Sequence, residues 1–144
     1  MIPALVLLTI FLLDQLSKFL VLKNLSFGDS IPVFPPYFYL TLVQNTGIAF
    51  GLLQGWSHFL LWMNLGILSA FLLLIALRRF FKKSLLQIAV GMIIGGGLGN
   101  LLDRFRLGYI VDFLDFRIWP VFNLADSAIC IGTFLLLWAL FRNR

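Results

Sequence analysis

Four long apolar runs, broken by shorter polar stretches, set the pattern of this chain. Residues 3–22, 57–77, 84–103 and 122–141 each approach the length a helix needs to cross a bilayer, about 20 apolar residues. Each is therefore expected to be a membrane-spanning helix. The first run carries Asp14 and Lys18, four residues apart and so on one helix face. Two readings follow: a local ion pair that lets the helix end reach the interface, or an Asp14 that faces the bundle interior and supports a site. A cleavable signal peptide is not expected, because no basic segment precedes the run and Asp14 and Lys18 interrupt it. The third run holds Gly91, Gly95, Gly96, Gly97 and Gly99, a density of small residues that permits close helix contact in lipid. The same glycines allow a kink or a helix end near Gly97.

Residues 23–55 break the helical pattern. Gly28, Pro32, Pro35, Pro36, Gly47 and Gly51 punctuate short β-prone runs such as YFYLTLV at 37–43. A small strand platform is expected there. Its end, QNTGIAFG at 44–51, sets polar residues beside glycines, where an extended peptide is expected to add by backbone hydrogen bonds. The bland alternative is an ordinary interfacial loop.

Charge orients these elements. Arg78, Arg79, Lys82 and Lys83 crowd one short loop, which the positive-inside rule assigns to the cytoplasm. Arg142 and Arg144 close the chain on the same side. Both termini are then cytoplasmic, and 23–55 and 104–121 lie outside. Arg104, Arg106 and Arg117 run against the rule on the outer side and need another task, such as pairing with aspartates or lipid phosphates.

Composition agrees with the pattern. The chain of 144 residues is 61% hydrophobic and 12% charged, with a mean hydropathy of +1.01. A soluble domain carries about 25% charged residues, so one compact membrane domain over residues 1–144 is expected. Despite a net charge of +5, no basic face with interleaved aromatics exists to follow a nucleic acid, and none is expected as a partner. A single cysteine, Cys130, excludes an internal disulfide framework, and a single histidine, His58, leaves little for a histidine-based triad.

The chemistry gathers instead between Gly95 and Asp126. That stretch holds four of the six acidic residues, Asp103, Asp112, Asp115 and Asp126, and the chain has no glutamate. Carboxylates are costly in so apolar a setting, and a cluster of them points to a functional site. In the expected topology all four lie near the outer interface. Two carboxylates in close contact do not both ionise readily and titrate as a unit. One can act as general base on water while the other donates a proton to a carbonyl or leaving amine. Asp103 beside Arg104, and Asp115 two before Arg117, also have a structural reading as ion pairs. Asp112 and Asp126 have no basic residue next to them and are the stronger candidates for a catalytic pair. Asn100 and Asn123 each precede an aspartate by three residues, a spacing that places both on one helix face and suits them to orient carboxyls or water. No ligand spacing typical of a metal loop is present, so neither metal nor other cofactor is expected.

Assembled in order, these segments resemble the lipoprotein signal peptidase (signal peptidase II) family. DQLSK at 14–18, NTGIAFG at 45–51, GGGLGNLLDR at 95–104, GYIVDFLDF at 108–116 and FNLADSAICIG at 122–132 match its blocks in sequence. The resemblance implies an intramembrane aspartyl endopeptidase with Asp112 and Asp126 as the catalytic pair. It assigns supporting or substrate-binding places to Asp14, Asn45, Gly47, Asn100, Asp103, Arg104 and Asn123. It implies an all-α bundle of four transmembrane helices with a small extracytoplasmic β-cradle and an outer helix or loop over the site. The implied substrate is a diacylglyceryl-modified prolipoprotein, cut before its lipidated cysteine in the bacterial inner membrane by a monomer surrounded by lipid. The competing reading is a small transporter or channel subunit that uses Asp14, Asp103 and Asp126 for proton or cation passage. That reading requires carboxylates spread through the bilayer depth.

Overall fold

A computed structural model describes residues 2–48, 52–76 and 84–142. The basic loop with Arg78, Arg79, Lys82 and Lys83, the segment Ala49, Phe50 and Gly51, and the terminal Arg144 lie outside the described residues. Helix α1 (Ile2–Asn24) is followed by strands β1 (Ser30–Phe34) and β2 (Phe38–Asn45), helices α2 (Ser57–Ala76) and α3 (Ser84–Leu107), strand β3 (Ile110–Asp115) and helix α4 (Leu124–Phe141). The fold is mostly helical with one small sheet. Among the described residues, three helices, α1, α3 and α4, are long and apolar enough to cross a membrane.

Helix α3 is the centre of the bundle. Of its most apolar stretch 61% is buried, against 11% for α1 and 22% for α4, whose leucines and aromatics face outward. Its glycines explain this position. Gly91, Gly95 and Gly99, spaced four apart, turn one face of α3 to α1, and a Cβ on Gly95 would stand 2.6 Å from the Leu7 carbonyl oxygen. Gly96 turns another face to Ala125 and Ile129 of α4. Backbones meet where side chains are absent, which is how helices gain contact in lipid. These glycines do not interrupt the helix. It is one unbroken element past Gly97 and past the expected end at residue 103, because neighbours on several sides hold each glycine in helical conformation.

The sheet is antiparallel, in the order β1-β2-β3. The expected cradle over 23–55 supplies only two of its strands. The third, β3, comes from the segment between α3 and α4, where the resemblance implied an outer helix or loop. Its sequence IVDFLD alternates poorly because nearly every position is buried. β2 is consequently the middle strand, paired on both sides, and its backbone is not open to an added peptide. The exposed edge is β1, all of whose residues face solvent or lipid. Beyond β3 the chain returns as an isolated bridge: Leu114 donates to the Phe122 carbonyl at 2.8 Å and Phe122 donates back at 3.1 Å. That bridge delivers the start of α4 directly beside β3.

Candidate active site

The sequence around residue 123 builds its own helix start. Asn123 is the N-cap of α4, in extended conformation, and its side-chain oxygen accepts from the Asp126 backbone N–H at 2.9 Å. The Asp126 carboxylate accepts in return from the Asn123 backbone N–H at 3.2 Å. This reciprocal capping box satisfies two N–H groups that a helix start leaves open. It also corrects the expectation that the two residues share a face within one helix: Asn123 precedes the helix and reaches Asp126 by capping it.

Asn123 has a second contact of equal importance. Its amide nitrogen donates to Asp112 Oδ1 at 2.7 Å and approaches the Val111 carbonyl at 3.3 Å. One fully buried asparagine therefore touches both candidate catalytic carboxylates. The other Asp112 oxygen accepts from Asn45 Nδ2 at 2.8 Å. Asn45 reaches it diagonally across the sheet, since Val43, two residues earlier, is the register partner of Asp112. The other Asp126 oxygen accepts from Asn100 Nδ2 at 2.8 Å. Asp112 on β3 is 1% exposed. Burial first, and then the negative charge of Asp126, push its carboxyl up to about 7, against the opposing pull of Asn45, Asn123 and Lys18.

Behind this pair lies a buried ion cluster. Lys18 Nζ is 2.9 Å from Asp14 Oδ2, 2.8 Å from Asp103 Oδ2 and 3.0 Å from Asn100 Oδ1. The two residues form an ion pair, and that pair is buried in the bundle interior. Asp14 also accepts from the Ala125 backbone N–H at 3.0 Å, and Gly99 admits its carboxylate by having no side chain. Asp103 accepts from the Val111 backbone N–H at 3.1 Å, tying α3 to the strand that carries Asp112. The expected Asp103–Arg104 pair does not form, because adjacent helix residues point in different directions. Arg104 instead donates to the Gly47 carbonyl at 2.6 Å, and its buried Nε has no partner among the described residues. The Asp115–Arg117 pair does form, at 3.5 Å, with Arg117 over the Tyr39 ring.

All nine candidate residues thus meet in one neighbourhood, with Asp14, Asn45, Asn100, Asp103, Asp112, Asn123 and Asp126 in a single hydrogen-bonded network and Gly47 joined to Arg104. The candidates omitted Lys18 and Gln15. Gln15 donates to Asp14 and Asp103 at 3.1 and 3.2 Å. The signal for Lys18 was present in its spacing from Asp14; nothing marked Gln15 in the same way. Asp14, Asp103, Asp112 and Asp126 form one connected cluster, not a series spread through the bundle, which disfavours a conduction path.

Comparison with known proteins agrees with this picture. Residues 6–142 match the family described as Signal peptidase (SPase) II. A lipoprotein signal peptidase of Halothermothrix orenii is 46% identical over 139 residues, covering 96% of this chain and 94% of the relative. One of Pelotomaculum thermopropionicum is 47% identical over 138 residues, covering 93% and 88%. Among solved structures, a bacterial membrane enzyme determined by the in meso method at 2.3 Å superposes with a TM-score of 0.86 at 32% identity, covering 98% of this chain and 88% of the other. A second, at 1.9 Å, gives 0.83 at 31% identity, covering 99% and 94%. The apolar helices and these relatives define a bacterial membrane protein. The chain belongs to the signal peptidase II family.

Proposed function

We propose that this protein removes signal peptides from prolipoproteins as an aspartic endopeptidase, with Asp112 and Asp126 as its catalytic pair. The observation that carries the assignment is that one buried residue, Asn123, donates to both carboxylates, from its side-chain amide to Asp112 and from its backbone N–H to Asp126. With one proton shared between them, the ionised member takes a proton from water as it attacks the scissile carbonyl. The protonated member donates to the carbonyl oxygen. Collapse of the resulting diol returns a proton to the leaving amine and restores the pair. Asp112, with its carboxyl raised to about 7, suits the protonated role near neutral pH.

The substrate is read as a prolipoprotein carrying diacylglycerol on the cysteine that follows the cut. Arg104 is the group placed to receive it: its Nε is free to donate to a substrate carbonyl or lipid phosphate while its other nitrogen holds the Gly47 carbonyl. The sheet carries Asp112 and is read as the outer cradle for the extended part of the signal peptide. Helix α2 is read as the fourth span, and the whole chain as one domain acting as a monomer. Both termini are then cytoplasmic, and the pair lies near the outer face, where water reaches it.

The test uses purified protein in detergent and a prolipoprotein with and without its diacylglyceryl group. Cleavage of the lipidated form alone, lost in Asp112→Asn and Asp126→Asn, is the expected result. No cleavage by a folded parent would reject the function; cleavage by either variant at the parent rate would reject the pair. Reporter fusions after residues 25 and 80 check the orientation.

A further inference from the structure

Lys18 touches neither carboxylate of the pair, yet it is 2% exposed and sits between α1 and α3, in contact with three side chains. What it contacts on the side of the site is the oxygen of the Asn100 amide. That oxygen also accepts from Asn123 Nδ2 at 3.1 Å. With two donors on its oxygen, the Asn100 amide has one orientation left, and its nitrogen faces Asp126 Oδ1. The reversed amide would set an NH2 against an ammonium and against a second NH2, and an oxygen against a carboxylate. Asn123 is bound in turn: its nitrogen must serve Asn100 Oδ1 and Asp112 Oδ1, so its oxygen is left for the Asp126 N–H.

We infer that Lys18 is a positioning residue for the reaction, which locks the Asn100 and Asn123 amides in the one orientation that presents an N–H to each catalytic aspartate. The inference rests on the proposed role of Asp112 and Asp126. An ion pair that served the fold alone would need Asp14 and Asp103; it would not need the third contact to an amide of the site. The charge matters as much as the geometry. An ammonium donates only, so it never tolerates the reversed amide, whereas a neutral side chain such as glutamine offers an oxygen that does.

The experiment is a cycle of Lys18→Gln, Asn100→Ala and the double variant, read as kcat and KM on lipidated prolipoprotein. Lys18→Gln is expected to lower kcat by about 10- to 100-fold with KM little changed, the scale for misplaced catalytic groups. In the Asn100→Ala background the same change is expected to cost less than about threefold, because residues that act through one another are not additive. Equal factors in both backgrounds, or a raised KM with kcat intact, would overturn the inference. Should Lys18→Gln not fold, Lys18→Gln with Asp14→Asn keeps the net charge of the cluster and replaces it; failure of both to fold assigns Lys18 to the fold and rejects positioning. A parent that cleaves nothing would instead reject the proposed function. Activity-free evidence comes from asparagine-labelled protein by NMR. The Asn100 and Asn123 side-chain amide signals should move in Lys18→Gln while those of Asn24 and Asn64 stay; unmoved Asn100 and Asn123 signals would overturn the inference.

Discussion

Asn123 and Asp126 cap one helix reciprocally, each accepting the other's backbone N–H, at 2.9 and 3.2 Å. A carboxylate fixed in this way cannot rotate freely, and the asparagine that fixes it donates its side-chain amide to Asp112 and Asn100. Helix capping and site geometry are therefore one piece of structure. Asn123→Ser separates them: serine still caps, but it does not extend a donor to Asp112. Thermal stability should stay within about 0.5 kcal/mol of the parent, whereas Asn123→Ala should lose about 1 kcal/mol. Both should lose most of their activity in the cleavage assay.

Replacing either aspartate tests the chemistry. Asp112→Asn and Asp126→Asn keep side-chain volume but cannot exchange the proton. Each should lower kcat by more than about 100-fold, the lower range for positioned acid–base groups. Membrane insertion and thermal stability should be retained, checked by detergent solubility and melting.

The raised carboxyl of Asp112 has a stability consequence. Its folded-state value, about 7, lies above the ordinary carboxylate value of 3.8. The folded form therefore binds the proton more tightly, and this contribution to stability is full below pH 4 and is lost as pH rises towards 7. Asp126→Asn removes a charge that raises Asp112, so the loss should be completed at lower pH. Asn45→Ala removes a donor to its charged form, so the loss, and the alkaline limb of the activity profile, should move up. Melting temperatures from pH 4 to 8 check the directions.

The glycines of α3 differ from that of α2 in what surrounds them. A Cβ at position 99 collides with the Asp14 carboxylate, while one at position 66 meets nothing within 4 Å. Gly99→Ala should destabilise by about 1–3 kcal/mol and reduce activity with it. Gly66→Ala should be neutral or stabilising by up to about 1 kcal/mol. Unfolding in detergent distinguishes them.

Helices were legible in the sequence because lipid demands a simple signal, a long apolar run. β3 was not, because a strand buried on both faces loses its alternation, and VDFLDF reads equally as interfacial loop. Asp112 and Asp126 stood out in the sequence by cost, since charge in an apolar stretch needs a reason, and the fold brings both to Asn123. The partner of Asp103 stayed open in the sequence, because proximity along the chain is not proximity in space; it is Lys18, across the bundle on α1. The third strand of the sheet was hidden for a related reason, since only the arrival of β3 makes β2 a middle strand.

The return of the chain from Leu114 to Phe122 has a consequence for biosynthesis. A nascent protein that has not yet delivered its last helix carries Asp112 without Asp126, and without Asn123 to orient it. With the proposed pair divided in this way, cleavage becomes possible only at the final step of assembly, and a partly inserted chain is inert.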